Sequence, residues 1–229
     1  MQTIGVLGGL GPQATMDFEQ RIHKVSQSLI PPKMNRGYPP MITWFHRNSP
    51  MIVDEHIHPI HPLTVNPILL DAAGKLGPLV DFIVIPSNTP HLFTKDIEAA
   101  SGKPVLSILG VTLDQVRQRG WQHIGVIGFR DPVFYTKPLE DLGIRYSGIQ
   151  PETAARLNKA IMSVMEGHND ARSSAAAHHA VRELRAAQVD GIILGCTEIP
   201  LLVPDVALED DVLNPAQLLA EAAVRRAIG

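Results

Sequence analysis

Among 229 residues the sequence has a single cysteine, Cys196. One thiol excludes an intramolecular disulfide and a cysteine-rich zinc site, and it leads to the expectation of a cytoplasmic protein, where a thiol stays reduced. An excess of positive charge is missing too. Lys and Arg number 20 against 23 Asp and Glu, a formal net charge of −3. The sequence therefore offers no basic footprint for nucleic acid and no cationic face for a membrane. Long apolar runs are lacking, because each is interrupted within about ten residues, too short to span a bilayer. Met1 is followed almost at once by "TIGVLGG", which reads as a first strand without a charged leader before it.

What is present is an ordinary soluble composition, 45% hydrophobic and 19% charged, long enough for one large domain or two small ones sharing a cleft. Six apolar, β-prone runs recur: "TIGVLG", "PPMITWF", "DFIVIP", "PVLSIL", "HIGVIG" and "DGIILG". Each ends in Gly, Pro or polar residues, as buried parallel strands do. Helical patterns lie between several of them. Residues 12–29 place Ala14, Phe18, Ile22 and Val25 at helical spacing behind Pro12. "PETAARLNKAIMSVMEG" and "DARSSAAAHHAVRELRAAQ" predict two more helices joined at residues 167–169. This alternation predicts a parallel α/β sheet.

The pattern is duplicated. "IGVLGGLGP" at 4–12 matches "IGVIGFRDP" at 124–132, and "DFIVIPSNTPHLF" at 81–93 matches "DGIILGCTEIPLL" at 190–202. Two landmarks in the same order predict two related halves. The expected division is a first α/β domain over 1–106 and a second over 107–209, with a seam between 101 and 115. The terminal helix, within 210–229, is expected to pack back on the first half. In open α/β sheets ligands bind at the carboxyl ends of strands, where the repeat places Ser87 and Cys196.

Cys196 has two readings from its surroundings. It packs as a small buried hydrophobe, or it opens a turn or helix whose N–H groups lower the thiol pKa, making it a base or nucleophile. "GGLGP" at 8–12 is either a tight strand-to-helix turn or a backbone cradle for a carboxylate or phosphate. It lacks dinucleotide-binding spacing. Arg47 follows a strand and could clamp a carboxylate. His56, His58 and His61 have a spacing that could hold a metal, although the two prolines there favour a surface loop. His178 and His179 mark the polar side of an Ala-rich helix.

Taken together, "IGVLGGLGPQAT" at 4–15, "IPSNTPH" at 85–91 and "LGCTEIPLL" at 194–202 resemble the cofactor-independent aspartate/glutamate racemase family over nearly the whole chain. The resemblance implies two Rossmann-like α/β domains, each with a mainly parallel sheet flanked by helices, related by pseudo-two-fold symmetry with the active site between them. It also implies a homodimer, no pyridoxal phosphate and no metal. In such a site one cysteine removes the α-proton of an amino acid and a second returns a proton to the opposite face. Cys196 and Ser87 take these catalytic places, and Ser87 departs from the family's usual cysteine. Asn88, Thr89 and Thr197 match positions that bind the substrate's α-carboxylate and amino group. Leu10 and Gly11 of the glycine-rich turn, Arg47 and Glu198 complete the expected substrate-binding set. His91 matches a histidine of the family motif. The lysine that some members carry near the helix junction has no counterpart in "EGHNDAR" at 166–172.

The expected function is racemisation of aspartate or glutamate, slow or enantiomer-preferring. A thiol pKa is about 8.5, whereas an unassisted hydroxyl lies near water's, about 15.7. That gap of ~7 units corresponds to ~10 kcal/mol in forming the anion. Two other readings stay open on the same scaffold: a one-cysteine decarboxylase or isomerase of a small dicarboxylic acid, and a non-catalytic small-molecule binder.

Overall fold

The computed structural model describes every residue except 33, 35, 57 and 131. The chain divides into two compact units, Met1–Ile108 with Leu219–Gly229, and Leu109–Leu218. The first unit runs β1 (Ile4–Gly8), α1 (Pro12–Leu29), β2 (Met41–Phe45), α2 (Pro67–Leu76), β3 (Phe82–Val84), α3 (Thr94–Ser101) and β4 (Val105–Leu106). Helix α4 (Ile108–Arg119) carries the chain into the second unit. There follow β5 (His123–Ile127), α5 (Val133–Asp141), β6 (Arg145–Ser147), α6 (Pro151–Met165), α7 (Ala171–Ala186), β7 (Gly191–Leu194), the short α8 (Ile199–Leu202) and β8 (Val212–Leu213). Helix α9 (Pro215–Ile228) begins in the second unit and ends in the first.

Each unit holds one four-stranded parallel sheet. The orders, β2-β1-β3-β4 and β6-β5-β7-β8, are the same when the strands are counted from the start of each unit. In the first, Ile4 pairs with Met41 and Phe82. In the second, Ile124 pairs with Tyr146 and Gly191. The duplicated "IGV" segments are thus the equivalent inner strands β1 and β5, and Ser87 and Cys196 follow the other inner pair, β3 and β7.

Burial on both faces explains why these strands read as unbroken apolar runs. On β7, Ile192 and Leu194 join the cluster built by Leu157, Ile161, Val164, Ala177, Val181 and Leu184 of α6 and α7. Ile193, pointing the opposite way, packs with Val116 of α4 and Leu139 of α5. In the first unit, Leu7, Ile83 and Ile85 meet Leu69, Ala73 and Leu76 of α2 and Ile97 of α3. The end of α9 belongs to that unit: Ala227 accepts from the Gln2 N–H at 2.9 Å, and the Arg226 guanidinium lies over the Phe82 ring at 4.7 Å.

All six predicted strands form. Two more complete the sheets: β6, an exposed edge strand reading "RYS", and β8, a two-residue edge strand. Helix α4 starts at Ile108, within the stretch where the seam was expected.

Candidate active site

In the second unit Cys196 stands two residues beyond β7, at the carboxyl edge of the sheet. Gly195 before it fits because nothing larger does: a Cβ there would lie 2.8 Å from the Ile127 carbonyl oxygen and 3.2 Å from the Tyr135 ring. The thiol is only 7% exposed. Its Sγ donates to Glu198 Oε2 at 3.0 Å, and the Thr197 hydroxyl donates to the same oxygen at 3.2 Å. Backbone N–H groups of Glu198 and Phe129 point at the sulfur.

These groups pull the thiol in opposite directions. Burial pushes its pKa well up, and the neighbouring Glu198 carboxylate pushes it further, against the two N–H donors that favour the thiolate. One of the two readings of the sequence had helix N–H groups lowering the thiol pKa. The structure reverses it, because α8 has only four residues and desolvation beside a carboxylate outweighs two dipoles. Glu198, 3% exposed, is itself pushed up by burial, against the hydrogen bonds from Cys196 and Thr197. Thiol and carboxyl are both reluctant to be charged and in direct contact, so the protonation of one depends on that of the other.

Phe129 was not legible as a site residue. In the repeat it stands where the first half has Gly9, and only its backbone is used. Asn158 supports that turn by accepting from the Arg130 N–H at 2.8 Å; Asp131 of the same matched segment lies outside the described residues. Tyr135, wholly buried, lies near enough to the sulfur that the two groups' charges disfavour each other, and its phenol bonds to Thr112. Nothing in its residue type distinguished it from a core aromatic.

In the first unit the turn after β1 is built differently. Gly9 has φ +80°, and a Cβ on it would come within 2.6 Å of the His46 carbonyl oxygen, so glycine is required. Its N–H is taken by Thr15 Oγ1 at 2.8 Å, and Thr15 donates in turn to Gly11 O at 3.0 Å. The equivalent N–H, on Phe129, serves the thiol in the second unit. Leu10 is half-buried and packs on the β1–β3 core, and Gly11 precedes Pro12 of α1 as its N-cap without a side-chain hydrogen bond. The Gln13 Oε1 nearby is buried with no hydrogen-bond partner.

Ser87, Asn88 and Thr89 are half-buried beyond β3, leading into a single 3-10 turn over Thr89–Phe93. Arg47, exposed just past β2, lies with its guanidinium 5.0 Å from the Phe45 ring and makes no ion pair with any described residue. Because β1, β2 and β3 are parallel, Leu10, Gly11, Arg47 and Ser87–Thr89 all gather at the carboxyl edge of one sheet.

His91 Nε2 lies 3.1 Å from the Ile85 carbonyl, and burial pushes the imidazole down to about 4, against that hydrogen bond. A carbonyl only accepts, so the neutral ring carries its proton on Nε2. With a folded pKa below the unfolded 6.5, the neutral ring stabilises the protein above pH 6.5, and that contribution disappears as pH falls toward 4. It amounts to about 3 kcal/mol. Denaturant titrations between pH 7 and 4 should show His91→Gln losing about that much less stability than the parent. Parallel pH profiles would remove the buried imidazole from the account.

The other histidines make local contacts. His56 pairs with Glu55 and His58 with Asp54 on an exposed loop. Among the described residues no three of His, Cys, Asp and Glu are placed to share a metal ion. His178 Nε2 meets the Asp205 carboxylate at 3.1 Å, which raises its pKa.

With both sheet edges described, the relatives can be compared. The Asp/Glu/hydantoin racemase family profile matches residues 7–223. The chain belongs to this family. The broad-specificity amino-acid racemase RacX of Bacillus subtilis is 24% identical over 230 residues, covering 96% of each chain. A Yersinia pestis protein solved as a candidate Asp/Glu racemase superposes with TM-score 0.76 at 27% identity over the full length of both chains. Picrophilus torridus aspartate racemase gives TM-score 0.76 at 18% identity, covering 99% of this chain and 94% of that one. This racemase-family member thus has the expected α/β architecture of two parallel sheets flanked by helices. None of its helices is long and apolar enough to cross a membrane among the described residues.

Proposed function

We propose that the protein is a pyridoxal-phosphate-independent amino-acid racemase acting on aspartate or glutamate, with Cys196 as its competent base. The observation that carries this reading is the buried contact of Cys196 Sγ with Glu198 Oε2 at 3.0 Å. A thiol pushed up by burial needs an acceptor to become a thiolate, and Glu198 is in reach. The thiol proton passes to the Glu198 carboxylate, and the thiolate, held by the Phe129 and Glu198 N–H groups, takes the substrate α-proton. The carbanion is then protonated on its other face by Ser87, which regains its proton from solvent, while Glu198 releases the proton it took, so that thiol, carboxylate and hydroxyl all return to their starting states. In the reverse direction Ser87 needs a relay, because its alkoxide is far less accessible than a thiolate.

Substrate recognition follows from the half-buried Asn88 and Thr89, which suit the α-carboxylate and amino group, together with Leu10, Gly11 and Thr197. Arg47, without an ion pair of its own among described residues, suits a side-chain carboxylate. The same reading includes homodimer assembly and a cytoplasmic location, supported by the family resemblance and the lone thiol.

Incubation with each enantiomer of aspartate and glutamate in D₂O tests this directly. The α-proton is followed by NMR and configuration by chiral chromatography. Exchange with inversion is the expected result. Exchange with retention would instead favour the one-cysteine decarboxylase or isomerase reading, for which a single thiol suffices. Binding with no exchange would favour the non-catalytic one.

A further inference from the structure

The helical hairpin of the second unit carries a feature that the racemase reading does not use. On α2, α4 and α5 an exposed cation has an acidic partner a turn away: Lys75 with Asp71, Arg117 with Asp114, Lys137 with Asp141. Between α6 and α7 this arrangement stops. A surface groove of about 730 Å³ is lined by Arg156, Lys159, Arg172 and Arg182, with His179 beside them, and no carboxylate lines it. Lys159, Arg172 and Arg182 make no ion pair with any described residue, and Arg156 reaches Glu152 only at 4.0 Å. This concentration of positive charge stands on a chain whose formal net charge is −3.

One of these placements opposes helix stability. Arg156 and Lys159 are spaced i, i+3 on one face of α6, where like charges repel; on α7, Arg185 is already held by Glu209 and Asp211, and His179 lies 4.0 Å from Glu183. Arg172 stands in the first turn of α7, behind the N-cap Asp170, whose carboxylate accepts from the Ser173 N–H at 2.7 Å and attracts the Arg172 charge. A bound anion offsets the Arg156–Lys159 repulsion and gives Arg172 and Arg182 a counter-charge. Hydroxyls of Ser163 and Thr153 add neutral donors, and Ala160 and Ala176 leave room for a ligand between the helices. Arg172 and Arg182 are ten positions apart on α7, about 15 Å at the helical rise, so the row suits several charges in line better than one.

We propose that the α6–α7 groove binds a small, multiply phosphorylated anion. Its size falls within the range of small-molecule sites, and guanidinium forks match phosphate oxygens two at a time. The groove lies wholly within the second unit, so the proposal stands apart from the racemase assignment, and binding rather than turnover tests it.

The probes are inorganic tripolyphosphate and ATP, titrated calorimetrically into the full chain at about 50 and about 200 mM salt. Saturable binding with Kd below about 1 mM is expected at low salt, weakening at high salt as exposed charge is screened. Arg172→Glu combined with Arg182→Glu should weaken binding at least about tenfold. Arg117→Glu with Lys137→Glu, the same charge change on α4 and α5, should leave it within about twofold. If the double reversal unfolds by circular dichroism, Arg172→Ala with Arg182→Ala replaces it, with the same direction expected. Equal losses from both pairs would reduce the effect to net charge and overturn the site. So would failure of both probes to bind, or saturable binding only to an oligonucleotide or to anionic vesicles. Comparable affinity for the two probes identifies the phosphates as the recognised part; tighter ATP binding adds its nucleoside to the contact.

Discussion

Replacing Cys196 by alanine is expected to lower racemisation of the accepted amino acid by about 10³-fold or more, within the range that removal of a positioned base produces. The fold should survive. The side chain is small and packs at the margin of the α6–α7–β7 cluster, so lost packing should amount to about 1 kcal/mol. Glu198→Gln separates chemistry from packing. Glutamine preserves the shape and can still accept from Thr197, but it cannot take the thiol's proton. It should reduce turnover by about 10²-fold while leaving stability at neutral pH equal or higher, because a carboxylate that resists ionisation in its buried place is gone. Activity against pH supplies the readout that a merely structural role would not move. The rising limb that depends on the Cys196–Glu198 pair should change position in Glu198→Gln. A folded Cys196→Ala variant with full activity would take the thiol out of the reaction.

Ser87→Cys is expected to increase the rate, more in the direction that begins with proton removal on the Ser87 side. A thiol there shares a proton near neutral pH, whereas the hydroxyl faces a handicap of ~10 kcal/mol if unassisted. The gain should be far smaller than that, because Ser87 is half-exposed and solvent has access to its hydroxyl. We expect about 10- to 100-fold, or about 1.4 to 2.7 kcal/mol. The two turns explain why the sites are unequal to begin with. In the second unit the Phe129 N–H supports the sulfur, whereas the matching Gly9 N–H is committed to Thr15. A new thiol at residue 87 would therefore lack that donor, so the variant should stay asymmetric in its deuterium wash-in from the two enantiomers. If Ser87→Cys binds the same amino acid and racemises it no faster, the serine serves a different, one-face reaction.

The inner strands could be read directly because parallel strands buried on both faces are uniform apolar runs. Of the edge strands, β2 and β4 were read from their apolar runs, whereas β6 and β8 were not. β6 reads "RYS" and is largely exposed, and β8 pairs over two residues, so neither carries the signal that burial imposes. The repeat and the motifs located Ser87 and Cys196 at equivalent strand ends, since glycine-bounded turns keep a sequence signature. The thiol's environment had none. Its raised pKa depends on burial under elements distant in the chain and on the backbone of Phe129, where side-chain identity says nothing about the N–H. Glu198 was visible as a neighbour of Cys196, but sequence adjacency could not show that its carboxyl turns back onto the sulfur. The cationic row on α6 and α7 was written in the sequence throughout, yet it becomes a groove only when the two helices lie side by side.

The path of α9 sets an order of assembly during synthesis. The second unit is one uninterrupted stretch, Leu109–Leu218, whereas the first needs Leu219–Gly229 as well as Met1–Ile108. Leu219, Ala220, Ala223 and Val224 are buried, and the last turn bonds back to Gln2. On the ribosome, therefore, the half that emerges first is the half that finishes last. Its sheet waits with one flank uncovered until Leu219–Gly229 are released, while the thiol-bearing unit has had its whole sequence for folding by then.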